Sequence, residues 1–125
     1  MTINLTLAQC FGKGASQDSE TLTIRKSDLP GLTPEAENRA EQLLAALLLK
    51  LLSEFSGSLN DPQGQKITDP QGRTITYDNS QLYLRLKLFA WRINFITRNS
   101  NMYRQKTIVC QFFLFPDTDL TPNNF

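Results

Sequence analysis

Histidine is missing from all 125 residues of this chain, and cysteine occurs only twice. The first absence removes the commonest general acid–base group near neutral pH and the commonest nitrogen ligand for zinc, so Ser-His-Asp and Cys-His arrangements cannot be built within one chain. The second leaves Cys10 and Cys110 too few for a cysteine zinc site. Without a secretory signal, one distant pair is no disulfide framework either, and both are expected as free thiols. Long apolar runs are also lacking: the longest, Leu43 to Leu52, falls far short of the roughly 20 residues of a membrane span and contains Lys50. At the N-terminus Thr2, Asn4 and Thr6 break up the apolar residues, where a signal peptide needs a basic start and a continuous apolar core. A cytoplasmic protein with no membrane partner is expected.

Net charge is nearly absent too, at a formal +1, so overall electrostatics do not dictate a partner. The distribution is uneven. From Gly64 to Pro116 eight basic residues face only Asp69 and Asp78, giving +6, and the remaining five basic and ten acidic residues give −5. Such asymmetry fits a polyanion-binding face, contact between complementary subunits, or a solvated sheet.

What the chain does have is two long apolar runs between Leu82 and Phe115. Leu82, Leu84, Leu86 and Leu88 are apolar at even positions, then Phe89, Trp91, Ile93 and Phe95 at odd ones. Because strand side chains alternate between faces, the change of phase predicts an extra residue, a β-bulge, at Leu88-Phe89. It would place Leu86, Leu88, Trp91 and Ile93 on one face. With Asn99-Ser100-Asn101-Met102 as the loop, Ile93 faces Ile108, Trp91 faces Cys110, Phe89 faces Phe112 and Leu86 faces Leu114. Lys87 then stands beside Phe113 and Arg85 beside Phe115, where their stems can cover the rings.

Two further strands are expected at Ile3 to Phe11, from its alternation, and at Thr21 to Lys26, with an unstructured Gly- and Ser-rich link between them. A helix follows. Thr33 can cap it, Pro34 suits its first position, and Glu35 and Glu37 sit near the positive end of its dipole. It is expected to reach about Ser56 and to end at Gly57 in the left-handed region. Ala40, Leu44, Leu47, Leu48, Leu51, Leu52 and Phe55 fall on one arc about 140° wide. Leu43 and Leu49 fall outside it, which predicts a second surface to cover.

Next comes an octapeptide duplication, Asp61-Pro62-Gln63-Gly64-Gln65-Lys66-Ile67-Thr68 followed by Asp69-Pro70-Gln71-Gly72-Arg73-Thr74-Ile75-Thr76. Two copies are too few for a solenoid. Asp-Pro-Gln-Gly is instead the chemistry of a hairpin loop with a bulge, Pro setting φ and Gly taking the left-handed position. Pairing Asp69 with Arg73 sets Ile67 opposite Ile75 and Gln65 opposite Tyr77. The expected fold is a single α+β domain over residues 1–125, with an antiparallel sheet of about five to six strands in the order β-β-α-β-β-β-β, one long helix on one sheet face, and an irregular tail at 117–125.

Candidate chemistry is sparse. Gly12-Lys13-Gly14-Ala15-Ser16 lacks the spacing and the following helix of a phosphate loop. Asp61, Asp69 and Asp78, with Asn60 and Asn79, lack the ligand ladder of a calcium loop and read as turn residues. No catalytic, cofactor or metal residue is assigned. The interaction candidates are Tyr83, Arg85, Lys87, Arg92, Asn94, Phe113 and Phe115 on the outer hairpin face, with Leu43 and Leu49 on the helix. They point to a non-enzymatic structural or protein-interaction module that self-associates or binds a protein partner. One alternative is a single-stranded nucleic-acid binder using the same face, against which stand the near-neutral charge and the lack of an RNA-binding signature. The other is a small-ligand binder between helix and sheet near Trp91, Tyr77 and Cys110.

Overall fold

The computed structural model describes residues 4–125, so Ile3, at the head of the first expected strand, lies outside the described residues. The rest of that segment is a helix, α1 (Leu7–Phe11), not a strand. Thr6 and Gln9 form a capping box: the Thr6 hydroxyl accepts from the Gln9 amide at 3.1 Å, and the Gln9 side chain accepts from the Thr6 amide at 2.8 Å. Two satisfied amides outweigh a short alternation of apolar residues. The second expected strand is present in part as β2 (Leu22–Thr23), paired with β1 (Ser16–Gln17) from the link expected to be unstructured, and Lys26–Asp28 form a 3₁₀ turn where that strand was expected to end.

Helix α2 (Ala40–Leu52) is shorter than expected at both ends. At its start the Asn38 side chain accepts from the Glu35 amide at 3.0 Å and donates to the Thr33 carbonyl at 3.1 Å. That local bonding gives the Thr33–Asn38 backbone an alternative to the helix, and Pro34 does not open it. At its end the chain tightens into 3₁₀-type bonds through Glu54 and Phe55. Gly57 is no left-handed terminator, since the positive-φ glycines are Gly12, Gly31, Gly64 and Gly72. It lies in β3 (Ser56–Ser58), opposite Tyr77 of β4 (Thr76–Asp78). The Tyr77 hydroxyl donates to the Ser53 carbonyl, and Asn79 donates to that of Glu54 at 3.1 Å. Carbonyls left free by the helix end are thus capped from β4 and the residue that follows it.

The duplicated octapeptide builds a three-armed junction. Leu59, Ile67 and Ile75 stand eight residues apart, and their backbones bond in a closed ring: Leu59 N–H to Ile75 O, Ile75 N–H to Ile67 O, and Ile67 N–H to Leu59 O, all at 2.8 to 2.9 Å. One arm closes at Asp61–Gln65, the second at Asp69–Arg73, and the third is the β3–β4 pair. Gly64 and Gly72 take the left-handed positions, with φ of 84° and 81°. Ile67 does face Ile75. Gln65 does not face Tyr77, because each repeat folds back on itself and Tyr77 pairs with Gly57.

The long hairpin contains β5 (Leu86–Ala90), β6 (Asn94–Arg98), β7 (Asn101–Gln105) and β8 (Ile108–Phe112), with β5 on β8 and β6 on β7. Its loop is the two-residue turn Asn99-Ser100, both at positive φ, in place of the four residues expected. The register of Leu86 moves by two accordingly, from Leu114 to Phe112; Leu88 faces Cys110, and Phe89, with no bulge beside it, faces Val109. No bulge interrupts Leu88-Phe89, so Leu86 and Trp91 do not share a face as expected; an extra residue falls farther along the strand. Trp91 N–H bonds Thr107 O and Asn94 pairs with Gln105, so Arg92 and Ile93 together oppose Lys106.

Among the described residues the architecture is therefore α+β with one long helix and four two-stranded antiparallel sheets, not one broad sheet. Each pair is a local hairpin or stem, and short strands leave no edge long enough to join them. The core is small. Phe55, Tyr83 and Leu88 are buried together with Leu5, Leu51, Leu52, Leu82, Leu86 and Ile108 packed around them. Phe55 meets Tyr83 edge-on with ring centroids 5.1 Å apart.

A Cβ at position 57 would meet the Tyr77 hydroxyl at 2.6 Å. Gly57→Ala should accordingly cost about 1–3 kcal/mol in urea unfolding, and Tyr77→Phe about 0.5–1.5 kcal/mol through its lost bond to Ser53. Ser100 is held at φ 65°. Replacing it by Gly removes a strain of about 1 kcal/mol and should slow amide exchange in β6 and β7 roughly fivefold; unchanged exchange would show the turn to be unstrained.

Candidate functional site: the outer face of the hairpin

Burial of Leu88, which is 0% exposed, decides which way β5 faces. Even-numbered side chains of β5 and β8 turn toward α2, and odd-numbered ones turn outward. Arg85, Lys87, Phe89 and Trp91 thus share the outer face with Val109, Gln111 and Phe113. Contacts between side chains agree with that alternation: the Arg85 guanidinium lies 4.7 Å from the Phe115 ring centre and the Lys87 ammonium 5.4 Å from that of Phe89, whose centroid is 6.1 Å from that of Trp91. Alternation along the unbulged strand carries the face on through Thr107, Gln105 and Tyr103, with Asn94 and Ile96 across from the last two.

Of the expected contact residues, Arg85, Lys87, Asn94, Phe113 and Phe115 are brought to one face. Arg85 does cover Phe115, whereas Lys87 covers Phe89 and not Phe113. Tyr83 is a correction: it is only 5% exposed, in the core, with its hydroxyl 3.5 Å from Glu54 Oε2. Burial pushes that phenol up, and the Glu54 carboxylate adds to the shift. Arg92 sits in the bulge with its guanidinium 5.9 Å from the Trp91 ring centre. Trp91 was expected inside with Leu86 and Leu88, but it lies on the Phe89 side and is 53% exposed. The misplaced bulge accounts for this, since without a slip at Leu88-Phe89 the odd residues stay outward.

On α2, Leu43 is half-buried and therefore a poor contact residue, while Leu49 is exposed, as is Leu44 from the expected buried arc. Pro30 to Glu35 and the Gln42–Leu49 side of the helix enclose a cleft of about 410 Å³, so the off-stripe side is partly covered by the chain itself. Trp91, Tyr77 and Cys110 do not line that cleft. They lie on three separate elements, with Tyr77 spent on the helix end.

Residues missed from the sequence lie beyond the bulge. From Trp91 to Lys106 every residue is exposed except Ile96, including Phe95 at 69% and Met102 at 76%. Between Asp78 and Asp117 the chain carries Arg85, Lys87, Arg92, Arg98, Arg104 and Lys106 and no acidic residue. Ion pairs among the described residues join Arg39 to Glu41, Lys50 to Glu54 and Arg73 to Asp69, none of them in the hairpin. The acid-free stretch was readable; the exposure of its rings was not.

The other polar groups are engaged in structure. Lys50 Nζ donates to the Gln9 carbonyl at 3.0 Å and to Glu54 Oε1 at 3.2 Å, tying the end of α1 to α2. Burial pushes the nearby Cys10 thiol up, Glu54 raises it further, and Lys50 opposes both. Cys10 and Cys110 are free thiols. Gly14 N–H is occupied by Asp28 Oδ2 at 2.7 Å, and Cβ atoms at Gly12 and Gly14 would strike Asp28 and Arg25; this segment is packed rather than open to a phosphate. Asp61 Oδ1 accepts from the Gln63 and Gln65 amides, and Asp69 Oδ1 from those of Gln71 and Arg73, the same loop made twice. Among the described residues no group of three or more His, Cys, Asp or Glu is placed to hold a metal ion, and no helix is long and apolar enough to cross a membrane. Comparison with protein-family models, with curated proteins and with solved structures finds no match.

The backbone N–H of Arg73 holds the Asp69 carboxyl below the usual carboxylate range, and the amide of Glu20 does the same for Asp18. A depressed folded pKa means that the loop's stabilisation is complete above the ordinary value of about 3.9 and is lost as pH falls through the lower folded value. In an NMR titration the Arg73 amide should therefore shift with a midpoint below about 3.9. A midpoint at or above that value would remove the proposed bond to Asp69 in solution.

Proposed function

We propose that the protein is a non-enzymatic interaction module of the cytoplasm that self-associates, with the projecting β6–β7 arm as its contact. The observation that carries this reading is the exposure of residues 91–106. Phe95 and Met102, with Thr97 and Arg104, form the side of the arm continuous with the inner face of the hairpin, beyond the reach of α2. Total accessible area points the same way. The chain exposes 9936 Å², against roughly 6,800 Å² for a compact monomer of its mass, and that excess exceeds the roughly 1,000 Å² a specific interface removes. A reducing compartment suits its two unpaired thiols.

The surface on a second copy that suits the arm is α2. Exposed Leu44 and Leu49 lie on this helix, Glu41 is already paired with Arg39, and Glu35 and Glu37 precede the helix, so apolar surface meets apolar surface and the basic arm meets the carboxylates of Glu35 and Glu37. A reciprocal contact of this kind closes a two-fold dimer. Multi-angle light scattering at high micromolar concentration should then give twice the chain mass. Phe95→Glu and Leu44→Glu should each weaken the dimer at least tenfold, about 1.4 kcal/mol, whereas Phe113→Glu, on the other face, leaves it intact. A wild type that stays monomeric at that concentration would reject the reading.

A further inference from the structure

We propose that the outer face of the hairpin is a binding site for single-stranded nucleic acid. This goes beyond the self-association reading and uses the opposite side of the hairpin. Three observations converge on it. Cations on this segment have no acidic neighbour in the chain between Asp78 and Asp117 and no ion pair among the described residues, and of those on this face only Lys87 feels a carboxylate, that of Asp78. Aromatic rings stand among them: Trp91, Tyr103, Phe113 and Phe115 are exposed, and Phe89 is half-buried. Arg85, Lys87 and Arg92 each lie within 6 Å of a ring centre on this segment.

A ring beside a cation is the unit a single strand requires, because every base offers a π-face to stack and every nucleotide carries a phosphate close to that base. Phe89 and Trp91, two residues apart on one strand face, sit roughly 7 Å apart along the chain, a spacing that lets neighbouring unstacked bases use neighbouring rings. Guanidinium planes such as those of Arg85 and Arg92 stack on bases as well. A duplex has its bases paired and stacked already and cannot use the rings. Protein partners of ordinary composition offer the rings apolar surface but leave Arg85, Arg92 and Arg98 without counter-charge, which a phosphate backbone supplies at every step.

Trp91 is the only tryptophan, so its fluorescence reports the site directly. The probe is an oligothymidylate of about 16 nucleotides, followed by end-label anisotropy and by Trp91 emission. We expect saturable binding with quenched Trp91 emission, weakening with salt at a slope of log K against log salt between about −2 and −4. Trp91→Ala, which changes an exposed side chain, should weaken binding about tenfold, as should Phe113→Ala. Arg85→Gln with Lys87→Gln should lower the slope by about 1.4. Arg73→Gln, on the three-armed junction, should change nothing. Three results would overturn the proposal: no binding at low salt, equal or tighter binding of the duplex form of the same length, or binding of heparin as tight as that of the oligonucleotide with the ring variants without effect, which would reduce the face to charge alone.

Discussion

The contact of Phe55 with Leu88 and Tyr83 is what the rest of the structure depends on. Phe55 follows α2 directly, and Leu88 is the centre of β5, so one cluster of side chains joins helix to hairpin. Both are fully buried, and each contributes about 1.5–3 kcal/mol. Few other residues contribute on that scale. The helix end is then locked from a second direction, by Tyr77 and Asn79 on the carbonyls of Ser53 and Glu54, so the three-armed junction is attached where the core is strongest. Leu88 also sets the polarity of the hairpin: with its side chain inward, Arg85, Lys87, Phe89 and Trp91 have only one way to point.

A core of this size cannot cover a chain of 125 residues, and the consequence is visible beyond the bulge. Arg92 and Ile93 opposing Lys106 bend the ribbon just where α2 ends its coverage. Inner-face residues past that point, Phe95 and Met102, emerge into solvent. The same bend lengthens the outer face, since Tyr103 continues the row begun by Phe113. A single local irregularity therefore produces two surfaces of different character, an apolar one that was inner and a basic aromatic one that was always outer.

Much of the architecture was legible in the sequence, for physical reasons that differ by element. Asp-Pro-Gln-Gly encodes its turn almost completely, because Pro fixes one torsion, Gly permits another and Asp accepts from two amides; hence Ile67 faces Ile75 as expected. The long hairpin and the Arg85–Phe115 contact were also foreseeable, whereas the bulge expected at Leu88-Phe89 is absent and an extra residue falls at Arg92-Ile93 instead. Position was harder. Register follows from loop length, and Asn99-Ser100 is a two-residue turn whose flanking Asn101 and Met102 carry no mark separating strand from loop. Tyr83 was assigned outward by the same alternation that holds within β5, yet it precedes the strand, and its ring is drawn to Phe55. The Thr6–Gln9 capping box and the Asn38 side-chain bonds were present as residues, but such competitions are decided by which backbone groups end up unpaired. Joining hairpins into one sheet required long-range pairing that no local pattern announces.

The charge distribution argues against a contact of the outer face with itself. In a closed two-fold contact each residue of a patch meets the same patch on the other copy, so Arg85, Lys87 and Arg98 of one copy would approach their own equivalents with no carboxylate from the hairpin between them. Removing water from such a contact strengthens the repulsion, because like charges interact more strongly in a lower dielectric. Apolar gain from Phe113 and Phe115 would have to exceed that cost while also displacing Arg85 from Phe115. A contact between the arm and the start of α2 would instead set Arg98 and Arg104 against Glu35 and Glu37. On that reading the outer face stays open, with Arg85, Arg92 and Arg98 available to a partner that brings its own negative charge.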